Sequence, residues 1–162
     1  LKAKFPNNLI LVDLKTMDAG EYESEPFYKA GADICTVLGA SGIATIKGVI
    51  EAANKYGKEC QVDMINVADK AALTKEAVAA GAHIIGVHTG LDAQAAGHTP
   101  FADLATIAAL NTGAKISVAG GVKASTAQEV KDAGASIIVA GAAIYGSADP
   151  AASAAEITAI AH

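Results

Sequence analysis

The pentapeptide "AGADI" at residues 30–34 returns as "AGAHI" at 80–84 and "AGASI" at 133–137. Each copy closes a helical pattern on a glycine and opens an apolar run within a few residues, as a helix C-terminus feeding a strand does. The copies lie about two strand–helix units apart, so the chain reads as a repeated βα architecture. Parallel strands with right-handed crossovers follow from that order.

Outward from these junctions, six short apolar runs recur: "LILVDLK" from 9, "ICTVL" from 34, "CQVDMI" from 60, "HIIGVHTG" from 83, "KISVAGG" from 115 and "SIIVAGAAIYG" from 136. They are near-continuous in Val, Ile and Leu, the pattern of strands buried on both faces. Helical patterns separate them, such as "FYKAG", "GIATIKGVIEAANKYG" and "DKAALTKEAVAAG", ending near Gly31, Gly57 and Gly81. Two α/β folds accept six such units. One is a doubly wound open sheet, for which this length is ample. The other is part of a (β/α)8 barrel of the TIM type, which ordinarily needs a longer chain and two more units. Counting favours the open sheet, whereas the polar residues at the strand ends favour the barrel.

At 162 residues the chain is expected to form a single domain, residues 1–162, with one substantial core. The formal net charge of −5, without any basic run, argues against nucleic acid or an anionic membrane surface as the main partner. No apolar run approaches the roughly 20 residues of a membrane span. Cys35 and Cys60 sit inside apolar runs and lack metal-ligand spacing. They read as buried free thiols of a cytoplasmic protein.

Both folds place ligands at the carboxyl ends of the strands. Those ends carry Asp13 and Lys15, then Asp63, then His88, then Gly120 and Gly121, then Gly141. In a barrel the strand ends form one ring, so these groups converge on one pocket. In an open sheet the outer ones are too far apart, which favours the barrel. Asp13 and Lys15 share one side of a strand by the period-2 rule. A hard divalent cation takes one or two carboxylates and several waters, which makes Asp13 a candidate metal ligand. Asp18 either caps the helix opened by "DAGEYE" or has a role of its own. Glu21, Glu23 and Glu25 read as a solvated first helical turn. His88 is placed either as a proton-transfer group or as a hydrogen-bonded structural histidine. His83, at the start of its strand, reads as structural, while His98 and His162 read as loop and terminus residues. The glycines of "VAGGV" and "VAGAAI" allow the backbone to approach phosphate oxygens, or else simply allow tight turns.

With Asp-x-Lys-x-x-Asp in "VDLKTMDAGEYE", the chain resembles the orotidine-5′-phosphate decarboxylase suprafamily of phosphate-binding barrels. Through "DLKTMDAGEYE", "GVHTGLDAQAAG" and "ISVAGGVK" it is similar, within that suprafamily, to the 3-hexulose-6-phosphate synthases. The resemblance implies a (β/α)8 barrel with six of its eight βα units in this chain, strands 3 to 8, and "LKAKFPNN" as the tail of the preceding helix. It implies a Mg²⁺-dependent aldolase that joins formaldehyde to the sugar phosphate D-ribulose 5-phosphate through a metal-stabilised enediolate, in a homodimer with shared active sites. On that basis Asp13 binds the metal, Lys15 assists at the substrate oxygens, and Asp18 reaches the neighbouring subunit's site. Asp63 lies against substrate hydroxyls, His88 removes the C1 proton, and Gly120, Gly121, Gly141 and Ala142 hold the phosphate.

The related 3-keto-L-gulonate-6-phosphate decarboxylases carry an arginine after the last-strand glycine, where this chain has Ala142. That difference favours the synthase reaction and leaves more of the phosphate to backbone groups. The first two strands of the fold bring an acid and a metal-binding glutamate, so these six units alone are expected to turn over weakly or not at all. The alternatives are the decarboxylase reaction and a non-catalytic sugar-phosphate-binding remnant. A nucleotide-binding open sheet lacks its Gly-rich loop after the first strand.

Overall fold

The computed structural model describes residues 1–161; His162, assigned above to the terminus, lies outside the described residues. Strands and helices alternate throughout: β1 (Leu11–Thr16), α1 (Gly20–Lys29), β2 (Ile34–Leu38), α2 (Ile43–Lys55), β3 (Glu59–Asp63), α3 (Lys70–Ala79) and β4 (Ile84–His88). After β4 come α4 (Leu91–Ala95), α5 (Phe101–Ala108), β5 (Lys115–Ala119), α6 (Ala124–Asp132), β6 (Ile137–Val139), α7 (Ala142–Tyr145) and α8 (Pro150–Ala161). Each of the six strands is therefore followed by at least one helix, giving six βα units. The chain divides into two compact units, residues 1–85 and 86–162, and the division falls within β4.

In the first unit β1 pairs in parallel with β2, and β2 with β3. The β2–β3 register is regular, with Cys35 beside Cys60, Thr36 beside Gln61 and Leu38 beside Asp63. Successive strand residues face opposite sides, so one side of β2 and β3 carries Cys35, Val37, Cys60 and Val62, all fully buried. On α2, Ile46, Val49, Ala52 and Ala53 are likewise without exposure, so the helix contributes an apolar stripe to the core. Burial pushes the Cys35 thiol up to about 11 and the Cys60 thiol up to about 12. Both cysteines are free and buried, as the apolar runs around them imply.

The three repeated junctions do one job. In each, the residue that opens a strand accepts the backbone N–H at the start of the preceding strand. Asp33 Oδ2 accepts from Ile10 N at 2.9 Å, His83 Nδ1 from Cys60 N at 3.2 Å, and Ser136 Oγ from Ile116 N at 3.4 Å. A carboxylate, an imidazole nitrogen and a hydroxyl are interchangeable here because the strand end needs only an acceptor. His83 is therefore occupied structurally. Asp33 also receives Lys2 Nζ at 2.8 Å and Lys58 Nζ at 2.6 Å, which hold its carboxyl well below the usual carboxylate range. Lys2 bonds Asn8 O as well, so this clamp pins the first residues of the chain. Those residues form turns, with Phe5 N donating to Leu1 O, rather than the helix expected from "LKAKFPNN".

The solvated first turn expected of α1 is correct only in part. Glu21 and Glu23 occupy that turn, but Glu25 accepts from Lys55 Nζ and from the Tyr56 hydroxyl, both at 2.7 Å. It thereby ties α1 to the end of α2. In the second unit β5 pairs in parallel with β6, matching Ser117–Ala119 to Ile137–Val139. There α6 packs on α8, with Val130 and Ile157 buried and Lys131 Nζ donating to Ile160 O at 2.9 Å. No helix among the described residues is long and apolar enough to cross a membrane.

Candidate active site

In the first unit, Asp13, Lys15 and Asp63 come together. The Lys15 ammonium pairs with Asp13 Oδ2 and lies 3.5 Å from Asp63 Oδ2. The period-2 rule does not by itself produce this arrangement. Between Val12 and Thr16 the register slips, so that four residue steps of β1 run against two of β2. Lys15 takes a left-handed conformation with φ +48°, uncommon for a non-glycine residue, and strain of this kind gathers at functional sites.

Thr36 holds this bulge. Its hydroxyl accepts the Lys15 backbone N–H at 2.9 Å and donates to Asp13 Oδ1 at 2.8 Å. Asp63 Oδ1 accepts from Ile65 N at 2.9 Å, so this carboxylate too is fixed by the backbone that follows its strand. The two acids differ in access, since the Asp13 side chain is 54% exposed and that of Asp63 4%. Asp18 does not join this group. It is exposed, its Oδ1 accepts from the adjacent Ala19 N at 2.8 Å, and the N-cap of α1 is Ala19, without a side-chain cap. The helix-capping reading of Asp18 is therefore incorrect, because the left-handed Ala19 turns the chain into the helix instead.

Among the described residues no three His, Cys, Asp or Glu side chains cluster as metal ligands. The donor set nonetheless fits a hard divalent cation that binds through one or two carboxylates and keeps its waters. Both carboxylates already gather around a single positive charge, and the Asp13 side chain is open to solvent.

In the second unit, a cavity of about 380 Å³ is lined by His88, Gly120, Gly121, Gly141 and Ala142. The turn after β5 is shaped by its two glycines, with φ +118° at Gly120 and +70° at Gly121. A Cβ at Gly120 would stand 2.6 Å from Thr89 O, so the turn lies directly on the backbone that follows β4. Thr89 N in turn donates to Ala119 O at 3.1 Å. Gln94 Nε2 reaches Thr89 O at 2.7 Å, and its Oε1 faces Gly121. The stretch "TGLDAQAAG" thus forms the short helix α4 against the cavity. His88 is half-buried in the wall, and His98 is exposed in the loop after α4.

Leu91, Gln94, Lys123 and Tyr145 also line the cavity and were not singled out in the sequence, nor was Thr36 in the first unit. Gln94 and Lys123 lie in the quoted motifs that follow strand ends, and their position was the available signal. Thr36 gave none, because a threonine inside "ICTVL" is an ordinary strand residue.

The family model described as "Orotidine 5'-phosphate decarboxylase / HUMPS family" matches residues 1–157. The chain belongs to this family. Within the orotidine 5′-phosphate decarboxylase / HUMPS family, it is 75% identical over 161 residues to 3-hexulose-6-phosphate synthase of Methylomonas aminofaciens, covering 99% of this chain and 77% of that one. To the 3-hexulose-6-phosphate synthase of Mycobacterium gastri it is 46% identical, covering 98% of this chain and 76% of that one. The crystal structure of 3-hexulose-6-phosphate synthase from Salmonella typhimurium matches with a TM-score of 0.95 at 41% identity, covering 99% of this chain and 76% of that one. The fold is accordingly the TIM-barrel type expected from the strand-end residues, with six βα units in this chain, and the open doubly wound sheet is set aside. Its relatives are enzymes named for a sugar-phosphate synthase reaction.

Proposed function

We propose that the protein is a Mg²⁺-dependent aldolase joining formaldehyde to D-ribulose 5-phosphate, giving D-arabino-hex-3-ulose 6-phosphate. The observation that carries this reading is the cavity of the second unit, lined by His88 and both glycine turns, in a chain 75% identical to a synthase.

The backbone at Gly120, Gly121 and Gly141 receives the phosphate, since the absence of side chains lets phosphate oxygens approach N–H groups closely. His88 takes the proton from C1 of the ketose. The C1–H electron pair moves into an enediolate, whose C1 attacks the formaldehyde carbon and forms the new C–C bond. The resulting alkoxide takes up one proton, which balances the one removed. A placed base of this kind contributes about 10²- to 10⁴-fold. Lys15 and Asp63 hold the sugar oxygens, and Thr36 keeps Asp13 and the Lys15 backbone in place. Asp13 would hold the Mg²⁺, and the chemistry a bound metal would supply there is polarisation of the C2 carbonyl, a contribution of several kcal/mol. Asp18 serves a neighbouring subunit in a homodimer, a role supported by its exposure beside the exposed apolar Met17 and Tyr22.

Ala142 favours this reaction over decarboxylation of 3-keto-L-gulonate 6-phosphate, as it offers no guanidinium beside Gly141. The test follows formaldehyde consumption with D-ribulose 5-phosphate and Mg²⁺. In parallel, NMR follows exchange of the C1 proton into D2O without formaldehyde. Weak formaldehyde consumption and weak C1 exchange are expected, and His88→Gln should abolish both. Faster CO2 release from 3-keto-L-gulonate 6-phosphate, or no C1 exchange by the unaltered protein, overturns the proposal.

A further inference from the structure

The cavity of the second unit has an uneven charge inventory. No Asp or Glu lines it, and its side chains able to carry positive charge are His88 and Lys123. Lys123 follows directly on the glycine turn "AGGV" and is exposed. Its backbone is secured, since Lys123 N donates to Thr126 Oγ1 at 3.2 Å and Thr126 Oγ1 donates to Lys123 O at 3.1 Å. Its ammonium, by contrast, makes no ion pair or hydrogen bond with the described residues. The other wall contributes no cation, because Ala142 stands after Gly141. A dianionic phosphate held by backbone N–H groups alone keeps much of its charge uncompensated, and one ammonium at the rim reduces that cost.

We infer that Lys123 is the phosphate-binding cation of this cavity, a substrate-affinity and specificity residue supplied by the loop after β5. The inference rests on the phosphate reading of the cavity proposed above. A lysine suits this place because its flexible stem lets a point charge follow the phosphate without bidentate geometry. The interaction is with the phosphate, remote from the carbons that react. It therefore strengthens ground state and transition state alike and appears in KM rather than kcat.

The experiment compares the unaltered protein with Lys123→Met and Lys123→Arg, using D-ribulose 5-phosphate, the phosphate-free ketose D-ribulose, and inorganic phosphate as probes. Binding is read by calorimetry and 31P NMR, and KM and kcat by formaldehyde consumption. Lys123→Met should weaken D-ribulose 5-phosphate and inorganic phosphate by about 10- to 100-fold, with a matching rise in KM. It should leave kcat and D-ribulose binding within about twofold. Lys123→Arg should restore most of the affinity, which a merely structural role would not predict. An unchanged thermal unfolding curve shows that the fold is intact, as expected for an exposed side chain. If the unaltered protein binds the sugar phosphate and Lys123→Met binds it equally well, the role of Lys123 is overturned while the proposed reaction stands. If the unaltered protein binds neither phosphate probe, the phosphate reading itself falls, and Lys123 with it.

Discussion

The Thr36 hydroxyl donates to Asp13 Oδ1 at 2.8 Å while accepting the Lys15 backbone N–H at 2.9 Å. One buried side chain thus sets both the orientation of the exposed acid and the left-handed backbone of the lysine. Thr36→Val keeps the volume but removes the hydroxyl, leaving Lys15 N without its acceptor and Asp13 free to turn. We expect kcat/KM to fall by about 10- to 100-fold, from the worth of a hydrogen bond to a charged group. Thr36→Ser should recover most of the loss. Steady-state kinetics on the three proteins provides the check, and a Val variant as active as the parent contradicts the role.

The two glycines of the β5 turn should respond differently to alanine. At Gly120 the φ of +118° combines with a Cβ placed 2.6 Å from Thr89 O, and that oxygen belongs to backbone. Gly120→Ala is expected to cost about 2–4 kcal/mol of stability and to distort the cavity. Gly121→Ala meets only the flexible end of Gln94, at 3.3 Å, in a conformation near the ordinary left-handed region. Its expected cost is about 1–2 kcal/mol. Urea unfolding of both variants gives the ranking, and the reverse order would show that the turn is not held against Thr89.

Glu25 gives a signed pH dependence. Hydrogen bonds from Lys55 and then Tyr56 lower its carboxyl from an ordinary 4.5 to about 2. A carboxyl lowered in the folded state stabilises the fold fully above its unfolded value and loses that contribution as pH falls through the folded one. The advantage of the unaltered protein over Glu25→Gln should therefore be largest above about pH 4.5 and fade toward about pH 2. Thermal unfolding of the pair across that range is the measurement. A gap that widens on acidification has the wrong sign.

Cys35 and Cys60 are fully buried, and burial pushes their thiols up to about 11 and about 12. Only the thiolate reacts quickly, so alkylation in the native state should proceed at the rate of opening rather than at the rate of a free thiol. Mass spectrometry after iodoacetamide at neutral pH should show little modification until denaturant unfolds the chain. Rapid native labelling would mean that the β2–β3 layer opens more readily than its packing implies.

The repeated "AGA-x-I" junctions and six apolar runs made the βα alternation legible, because strands buried on both faces read as unbroken Val, Ile and Leu. Asp13, Lys15, Asp63 and His88 were legible as strand-end polar residues, since polar side chains following buried strands stand out against apolar neighbours. Boundaries moved by a residue or two, and β1 begins at Leu11 rather than Leu9. The role of Glu25 stayed hidden because its partners Lys55 and Tyr56 lie on another helix, about 30 residues along the chain.

The order of elements, the parallel pairing that this order requires, and the strand ends that carry polar chemistry are all written in the residue pattern. These depend on local periodicity and turn residues, which each segment displays without its neighbours. Folded contacts were needed to show that Lys15 leaves the regular strand and that Thr36 joins it to Asp13. They were needed also to show that the turn at Gly120 rests on Thr89, and that Lys123 lines the acid-free cavity. Each of these depends on register and approach between segments distant in the chain, and the slip between Val12 and Thr16 changes which residue of β2 each later residue of β1 stands beside.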